Sequence, residues 1–165
     1  MGYSDSGYAG DRDTRKSTAG YLYKMNGGSV SWKSKLQETT ALSSTEGEYM
    51  ALGQALKELL WIKGLLKGLG MLDHLSVSVY SKNKKDMATI FSDSMGAIDL
   101  SKTTKHHDRT KHIDVRHHFL REHVENGNVS FQHVGTQSMW ADTMTKPLGR
   151  VKFIACRDAM GLGEV

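Results

Sequence analysis

The stretch ALSSTEGEYMALGQALKELLWIKGLLKGLG, residues 41–70, contains the longest helical pattern in the sequence. Its apolar residues recur every three or four positions along one face: Leu52, Ala55, Leu59, Ile62 and Leu66. This period predicts a long helix whose apolar side packs on a core. Ser43 and Glu46 have the spacing of a capping box, which predicts that the helix begins beside them.

Glu48 lies on the same stripe, four residues before Leu52, where an apolar side chain is expected. Burying an ionised carboxylate without a partner costs several kcal/mol. The position therefore indicates a cation, a proton or water next to Glu48. The alternative is a frayed first turn that leaves Glu48 in solvent, and this helix alone does not decide between the two.

The residues before this helix predict three antiparallel strands. Residues 2–8, GYSDSGY, form a short strand pattern with Asp5 at its centre, although aspartate is disfavoured in strands. Residues 18–25 and 29–35 alternate apolar and polar side chains. The sequence Asn26-Gly27-Gly28 between them is typical of a hairpin turn.

The residues after the long helix predict a mixed α/β sheet. Residues 72–92 allow a hairpin, or a loop followed by one strand that ends at Asp93. Residues 94–102 predict a short helix, so Asp93 lies between a strand and a helix, a usual position for site residues. A strand at 129–134 follows later in the chain.

The C-terminal part of the sequence predicts two more helices. Residues 135–148 predict a short helix that ends at Pro147 and carries Asp142. The remaining residues predict an amphipathic helix. With 165 residues, one proline and 38% hydrophobic side chains, we expect a single domain over residues 1–165.

The composition also limits the function classes. Cys156 is the only cysteine, which excludes an intrachain disulfide and a thiolate cluster and favours a reducing, intracellular setting. No apolar run has membrane-spanning length, and no secretory signal precedes the first motif. The net charge of +4 weakly favours a polyanionic partner.

Residues 102–123 are rich in basic side chains and contain six of the eight histidines. The second half of this segment has a helical period, and His117 on its apolar face indicates a hydrogen-bonded core histidine. A zinc site is disfavoured because the neighbouring lysines and arginines repel cations. The segment predicts a phosphate-facing surface that includes Lys111 and Arg116, with a solvated helix face as the alternative.

Four acids stand apart from the charged loops, on four different elements: Asp5, Glu48, Asp93 and Asp142. If the fold brings them together, their mutual repulsion requires cations. Magnesium takes oxygen ligands, and a pair of such ions is a known arrangement for phosphodiester hydrolysis. Spacing along the chain does not establish convergence, so a two-metal nuclease remains one interpretation among several.

Six segments of the chain resemble one family, in the order in which that family has them: YSDSGYAGDRDTRKSTAGYLY, GGSVSWKSKLQ, ALSSTEGEYMAL, IFSDSMGAIDLSK, RTKHIDVRHHFLRE and ADTMTKPLGRVKF. The chain resembles the ribonuclease H domain of copia-type LTR retrotransposon polyproteins, closest to their plant branch. The resemblance covers nearly the whole chain. It implies the ribonuclease H-like fold, a five-stranded mixed sheet in which three strands are antiparallel and the first and fourth are adjacent and parallel.

The resemblance also implies an activity, metal-dependent cleavage of the RNA strand of RNA/DNA hybrids by a two-metal-ion mechanism. It places catalysis and metal binding on Asp5, Glu48, Asp93 and Asp142, with two Mg²⁺ ions that Mn²⁺ can replace. The implied partners are the RNA/DNA hybrid and the reverse transcriptase domain of the same polyprotein. The implied location is a cytoplasmic virus-like particle or the nucleus.

Six residues are candidate nucleic-acid contacts: Ser43, Ser44, Thr45, Ser94, Lys111 and Arg116. By the family's pattern, the first three lie at the helix start that approaches the minor groove of the hybrid. Small hydroxyl side chains suit that groove, where RNA displays its 2′-hydroxyl groups.

Two departures from the family leave an alternative function open. Met95 stands where the family often has a glutamine that helps hold the RNA strand. The loop before Asp142 is too short for the catalytic histidine of cellular enzymes, and Gln137 is nearest to its position. These features mildly favour a non-catalytic nucleic-acid or partner-binding module. A transposase-like or resolvase-like substrate is disfavoured by the motifs at 109–122 and 141–148.

Overall fold

The computed structural model describes residues 1–71, 87–103 and 111–163, with backbone only at 111–117. The described strands are β1 (Gly2–Gly7), β2 (Thr18–Met25), β3 (Gly28–Leu36), β4 (Ala88–Ser92) and β5 (Val129–His133). The described α-helices are α1 (Ser44–Gly68), α2 (Met95–Lys102), α3 (Lys111–Glu125) and α4 (Arg150–Ala159). Two 3₁₀-helices, η1 (Thr136–Ser138) and η2 (Trp140–Met144), lie between β5 and α4.

The five described strands form one mixed sheet in the order β3-β2-β1-β4-β5. β1 pairs with β2 and β2 with β3 in antiparallel fashion, whereas β1–β4 and β4–β5 are parallel. The predicted five-stranded mixed sheet, with its first and fourth strands adjacent and parallel, is confirmed. The choice between a hairpin and a loop concerned residues 72–86, which lie outside the described part of the chain.

The β2–β3 hairpin turns as its sequence predicts. Asn26 and Gly27 both have positive φ, 48° and 86°, the backbone that a tight hairpin turn requires. β3 forms one edge of the described sheet beyond this turn. The predicted strand limits agree with the observed ones to within one residue.

α1 begins at the predicted capping box. The N–H of Glu46 donates to Ser43 Oγ at 3.1 Å, and the N–H of Leu42 donates to Glu46 Oε2 at 2.7 Å. In the usual capping box the glutamate accepts from the N–H of the N-cap residue, whereas here it accepts from the N–H of the residue before the N-cap. The start of the helix is therefore fixed from both sides, and frayed geometry is not observed there.

The core lies between the sheet and the helices α1, α2 and α3. The predicted stripe of α1 supplies Leu52, Ala55 and Leu59, and these side chains pack with Ile90 and Phe131 of the sheet. Ile62 is only partly buried, whereas Leu66, one turn further along the stripe, is buried. Burial of one such aliphatic side chain stabilises the fold by about 1.5–3 kcal/mol, so this layer fixes α1 on the sheet.

The opposite face of the sheet carries η2. Tyr3 of β1 stacks on Phe91 of β4 at 5.3 Å between ring centroids and lies 6.4 Å from the ring of Trp140. The segment 135–148 was predicted as one short helix, and this prediction is wrong. Met139 adopts an extended conformation between two 3₁₀ turns, of which the second, η2, packs against β1 and β2.

Two glycines allow this close approach. A Cβ atom at Gly20 would lie 2.6 Å from Met144 Cβ, and one at Gly7 would lie 2.6 Å from the Thr145 carbonyl oxygen. Side chains at these positions would displace the segment that follows Asp142. The absence of a side chain at Gly7 and at Gly20 therefore sets the depth at which η2 packs.

We expect Gly20→Ala to destabilise the protein by about 1–3 kcal/mol because the new methyl group overlaps Met144 and Thr145. Gly64→Ala is the matched control, since Gly64 lies on α1 with no atom within 4 Å of its Cβ position. There alanine is expected to stabilise the helix by roughly 0.5–1 kcal/mol. Urea unfolding of the two variants measures both changes, and equal stabilities would contradict the packing argument.

Candidate active site

Two acids, Asp5 in β1 and Asp93 directly after β4, lie at the same level of the sheet. Tyr3 of β1 is paired with Phe91 of parallel β4, so Asp5 and Asp93, each two residues further on, lie side by side. Asp5 is 1% exposed, and its antiparallel neighbour on β2 is Gly20. The β1–β4 register therefore brings together two carboxylates that are 88 positions apart in sequence.

Glu48 joins these two acids from the first turns of α1. Its Oε1 accepts a hydrogen bond from the N–H of Ser6 at 3.2 Å, which holds the side chain at the end of β1. Carboxylate oxygens of Asp5, Glu48 and Asp93 all lie within 4.8 Å of one another. Glu48 is 9% exposed, so the alternative of a solvated side chain is wrong.

Asp5, Glu48 and Asp93, called the triad below, have electrostatics that favour a bound cation. Burial, together with the charges of Asp5 and Asp93, raises the pKa of Glu48 to about 9. Burial also raises the pKa of Asp5, and Asp142 and Asp93 add to the effect against the opposing Thr145 hydroxyl and Lys146 ammonium. Without a metal, the triad therefore retains a proton at neutral pH.

The donor set fits magnesium. Glu48 Oε2 is buried and accepts no hydrogen bond, so this residue of the triad has one carboxylate oxygen without a partner. All three residues of the triad offer carboxylate oxygens, the ligands that hard divalent cations prefer. Glu48 and Asp5 could then both ionise, since a divalent cation offsets their repulsion.

Asp142, the fourth predicted acid, lies beside Asp5 but outside the triad. It is 2% exposed on η2, and its Oδ1 is 2.8 Å from Lys146 Nζ. Lys146 Nζ is also 3.6 Å from Asp5 Oδ2, and Lys152 Nζ is 3.6 Å from Asp142 Oδ2. The structure thus brings three of the four acids together and joins the fourth to them through a lysine.

Hydroxyl and ammonium groups that the sequence interpretation missed support these acids. Thr145 Oγ1 donates to Asp5 Oδ2, and Thr136 Oγ1 donates to Asp93 Oδ2 at 3.0 Å. Lys152 donates to the carbonyl oxygens of Thr136 and Gln137, which ties η1 to α4. The spacing of Asp142 and Lys146, four residues apart, is the one signal that could have indicated an ion pair.

The predicted nucleic-acid contacts at the starts of α1 and α2 lie near one another. A Cβ atom at Gly96 would lie 3.1 Å from Thr45 Cγ2, so the two helix starts are in contact. Ser94 Oγ accepts the N–H of Ala97, which makes it the N-cap of α2, as Ser43 is of α1. Both hydroxyl groups keep their hydrogen for another acceptor.

The remaining candidates have different outcomes. Ser44 is exposed at the first position of α1. Lys111 and Arg116 belong to α3, where the structure describes their backbone but not their side chains. The same holds for His117. Met95, which replaces the expected glutamine, is 54% exposed beside Ser94.

Comparison with known proteins identifies relatives among transposon polyproteins. The chain is 42% identical over 161 residues to the retrovirus-related Pol polyprotein from transposon TNT 1-94 of Nicotiana tabacum, which is 98% of this chain and 11% of that protein. It is 40% identical over 152 residues to the corresponding polyprotein from transposon RE2 of Arabidopsis thaliana, 92% of this chain and 10% of that protein. The chain thus spans about a tenth of the length of these relatives. No family model matches it.

Solved structures identify the fold. LC11-RNase H1, crystallised in complex with an RNA/DNA hybrid, has a TM-score of 0.57 and 14% identity over 87% of this chain and 91% of its own. At that identity the likeness establishes the fold alone. The resemblance inferred from the six sequence segments is confirmed by these relatives and this fold. Among the described residues, no helix is long and apolar enough to cross a membrane.

We expect Glu48→Gln to remove part of the pH dependence of stability in the presence of EDTA. Glu48 in the folded protein has a pKa of about 9, above its ordinary value of 4.5. The folded state therefore holds a proton that the unfolded state loses, so the contribution of Glu48 to stability declines as pH rises from about 4.5 to about 9. Glutamine does not ionise. The free energy of unfolding of Glu48→Gln, measured relative to that of the wild type, is therefore expected to rise by about 2–4 kcal/mol between pH 5 and pH 9.

Denaturant unfolding at pH 5, 7 and 9 measures this difference. Glu122→Gln, which removes an exposed glutamate of α3, is the control for loss of a negative charge. A gap between wild type and Glu48→Gln that is the same at all three pH values would show that Glu48 does not carry the raised pKa.

Proposed function

Because this chain is a ribonuclease H-fold domain related to one segment of the Pol polyproteins of plant transposons, we propose that it is a metal-dependent endonuclease that cleaves the RNA strand of RNA/DNA hybrids. The observation that carries the proposal is the triad of Asp5, Glu48 and half-buried Asp93, in which Glu48 Oε2 is buried without a hydrogen-bond partner. Such a group of carboxylates at neutral pH is costly unless it holds a cation. The proposed role is hydrolysis during reverse transcription of a copia-type element.

The proposed cofactor is a pair of Mg²⁺ ions, for which Mn²⁺ substitutes. When bound, these ions would supply an activated water and neutralise the charge that develops on the leaving oxygen. Asp5 is the central ligand because its carboxylate faces Glu48 and Asp93 as well as Asp142 through Lys146. Thr145 and Thr136 fix the orientation of Asp5 and Asp93 by donating hydrogen bonds.

The proposed substrate surface is formed by the starts of α1 and α2. Small hydroxyl side chains at these helix starts suit the 2′-hydroxyls of an RNA minor groove. They belong to Ser43, Ser44, Thr45 and Ser94. The partial positive charge at two helix N-termini also favours phosphate groups. Exposed Met95 offers no hydrogen bond at the position where the family often has glutamine, so we expect a weaker grip on RNA.

A non-catalytic binding module is the second candidate. The observation that favours it is the pairing of Asp142 with Lys146 and Lys152, which occupies the fourth acid with protein cations.

As a segment related to about a tenth of a Pol polyprotein, the domain is proposed to work beside the reverse transcriptase of the same chain, in a virus-like particle or the nucleus.

We expect Asp5→Asn and Asp93→Asn each to reduce cleavage of a labelled RNA/DNA hybrid by more than about 100-fold, because each removes a ligand from the triad. Hybrid affinity should be retained or increased, since one negative charge is lost. Asp99→Asn removes an exposed carboxylate from α2 and is the matched control with unchanged cleavage. Full activity in either triad variant would overturn the assignment of the site.

The same assay separates the two candidate functions. Reactions of the wild-type protein contain Mg²⁺, Mn²⁺ or EDTA, with duplex DNA and duplex RNA as control substrates. Metal-dependent cleavage of the RNA strand in the hybrid alone is the expected result. Binding of the hybrid by a folded sample without cleavage in either metal would favour the binding module.

A further inference from the structure

One cation already lies among the acids of the site. The ammonium of Lys146 is 2.8 Å from Asp142 Oδ1 and 3.6 Å from Asp5 Oδ2, so it bridges two carboxylates. Both carboxylates are nearly inaccessible to solvent, at 3% and 2% side-chain exposure. Two buried carboxylates that both contact one ammonium require a positive charge to offset their repulsion, and Lys146 provides it.

The two lysines that contact Asp142 differ in how firmly they are held. Lys152 is 18% exposed, donates to two carbonyl oxygens of η1 and lies 5.5 Å from the ring centre of Trp140. Lys146 is 41% exposed, and among the described residues its ammonium is held by the ion pairs with Asp5 and Asp142 alone. Its long flexible side chain can carry the ammonium into water, so Lys146 is the removable cation and Lys152 is the fixed one.

We propose that Lys146 is a displaceable counter-ion that occupies the cation position between Asp5 and Asp142 and so makes metal binding sequential. The proposal rests on the two-metal function proposed above. One ion is accepted by Asp5, Glu48 and Asp93, whose carboxylate oxygens lie within 4.8 Å of one another. Of these three acids, Asp5 is the one that forms an ion pair with Lys146 in the described part of the chain. A second ion that uses Asp5 and Asp142 competes with Lys146 and therefore binds more weakly.

The proposal has a consequence for the substrate. An ammonium group released from Asp142 remains tethered four residues from that acid, at the solvent-exposed rim of the site. A nucleic-acid phosphate is a suitable new partner for it. Displacement of Lys146 is then easier in the presence of substrate, which links binding of the second ion to binding of nucleic acid.

Isothermal titration of the metal-free protein with Mn²⁺, without nucleic acid, tests the proposal. The wild type is expected to bind one ion tightly and a second weakly. Lys146→Gln should lower the Kd of the second ion by about tenfold or more, because a competing positive charge is lost at contact distance. The first Kd should change little. Lys67→Gln, at an exposed position of α1, is the control for loss of a positive charge.

The possible outcomes separate this inference from the proposed function. An unchanged number of ions and unchanged Kd values in folded Lys146→Gln would overturn the role of Lys146 and leave the triad intact. Absence of any Mn²⁺ binding to the wild type would overturn the metal-dependent function itself, and the inference with it.

A second measurement needs no variant. Acetylation of lysines by an N-hydroxysuccinimide ester, read by mass spectrometry, reports how accessible each ammonium is. Labelling of Lys146 relative to Lys67 should rise several-fold between metal-free and Mg²⁺-saturated wild-type protein, because the ammonium leaves its two carboxylates. Equal relative labelling in both states would overturn the proposal even where Lys146→Gln fails to fold.

Discussion

The repulsion among buried carboxylates is the constraint on which this structure depends. The register of β1 with β4 sets Asp5 beside Asp93, and α1 adds Glu48 above them. Each of these placements raises the free energy of the metal-free protein, since ionised groups lose their hydration. The surrounding structure offsets this cost with donors: the N–H of Ser6, the hydroxyls of two threonines and the ammonium of Lys146.

Local periodicity indicates which acids are unusual, although the expectation that they converge came from the family resemblance. An acid on an apolar stripe, such as Glu48, is anomalous on any helix, and an acid inside a strand, such as Asp5, is equally anomalous. The strands around the Asn26–Gly27 turn follow from alternation and turn chemistry alone. The burial of Glu48 then resolved the alternative that the sequence left open.

The contacts of Asp142 could not be predicted in the same way. They depend on the path of the backbone through η1 and η2, where an ordinary helix was expected, and on how deeply η2 packs against Gly7 and Gly20. Such packing is a property of distant segments brought together. Local spacing indicates that Lys146 lies near Asp142, but it contains no signal for the approach of Lys146 to Asp5 or of Lys152 from α4.

The hydrogen bond between Thr145 and Asp5 joins residues 140 positions apart. During synthesis, β1 leaves the ribosome long before η2, and closing so long a loop is entropically slow. A growing chain can therefore assemble the carboxylate triad while it still lacks Asp142 and both of its lysines. The order of translation thus separates in time the two halves of the site, and only the completed chain has all four acids in place.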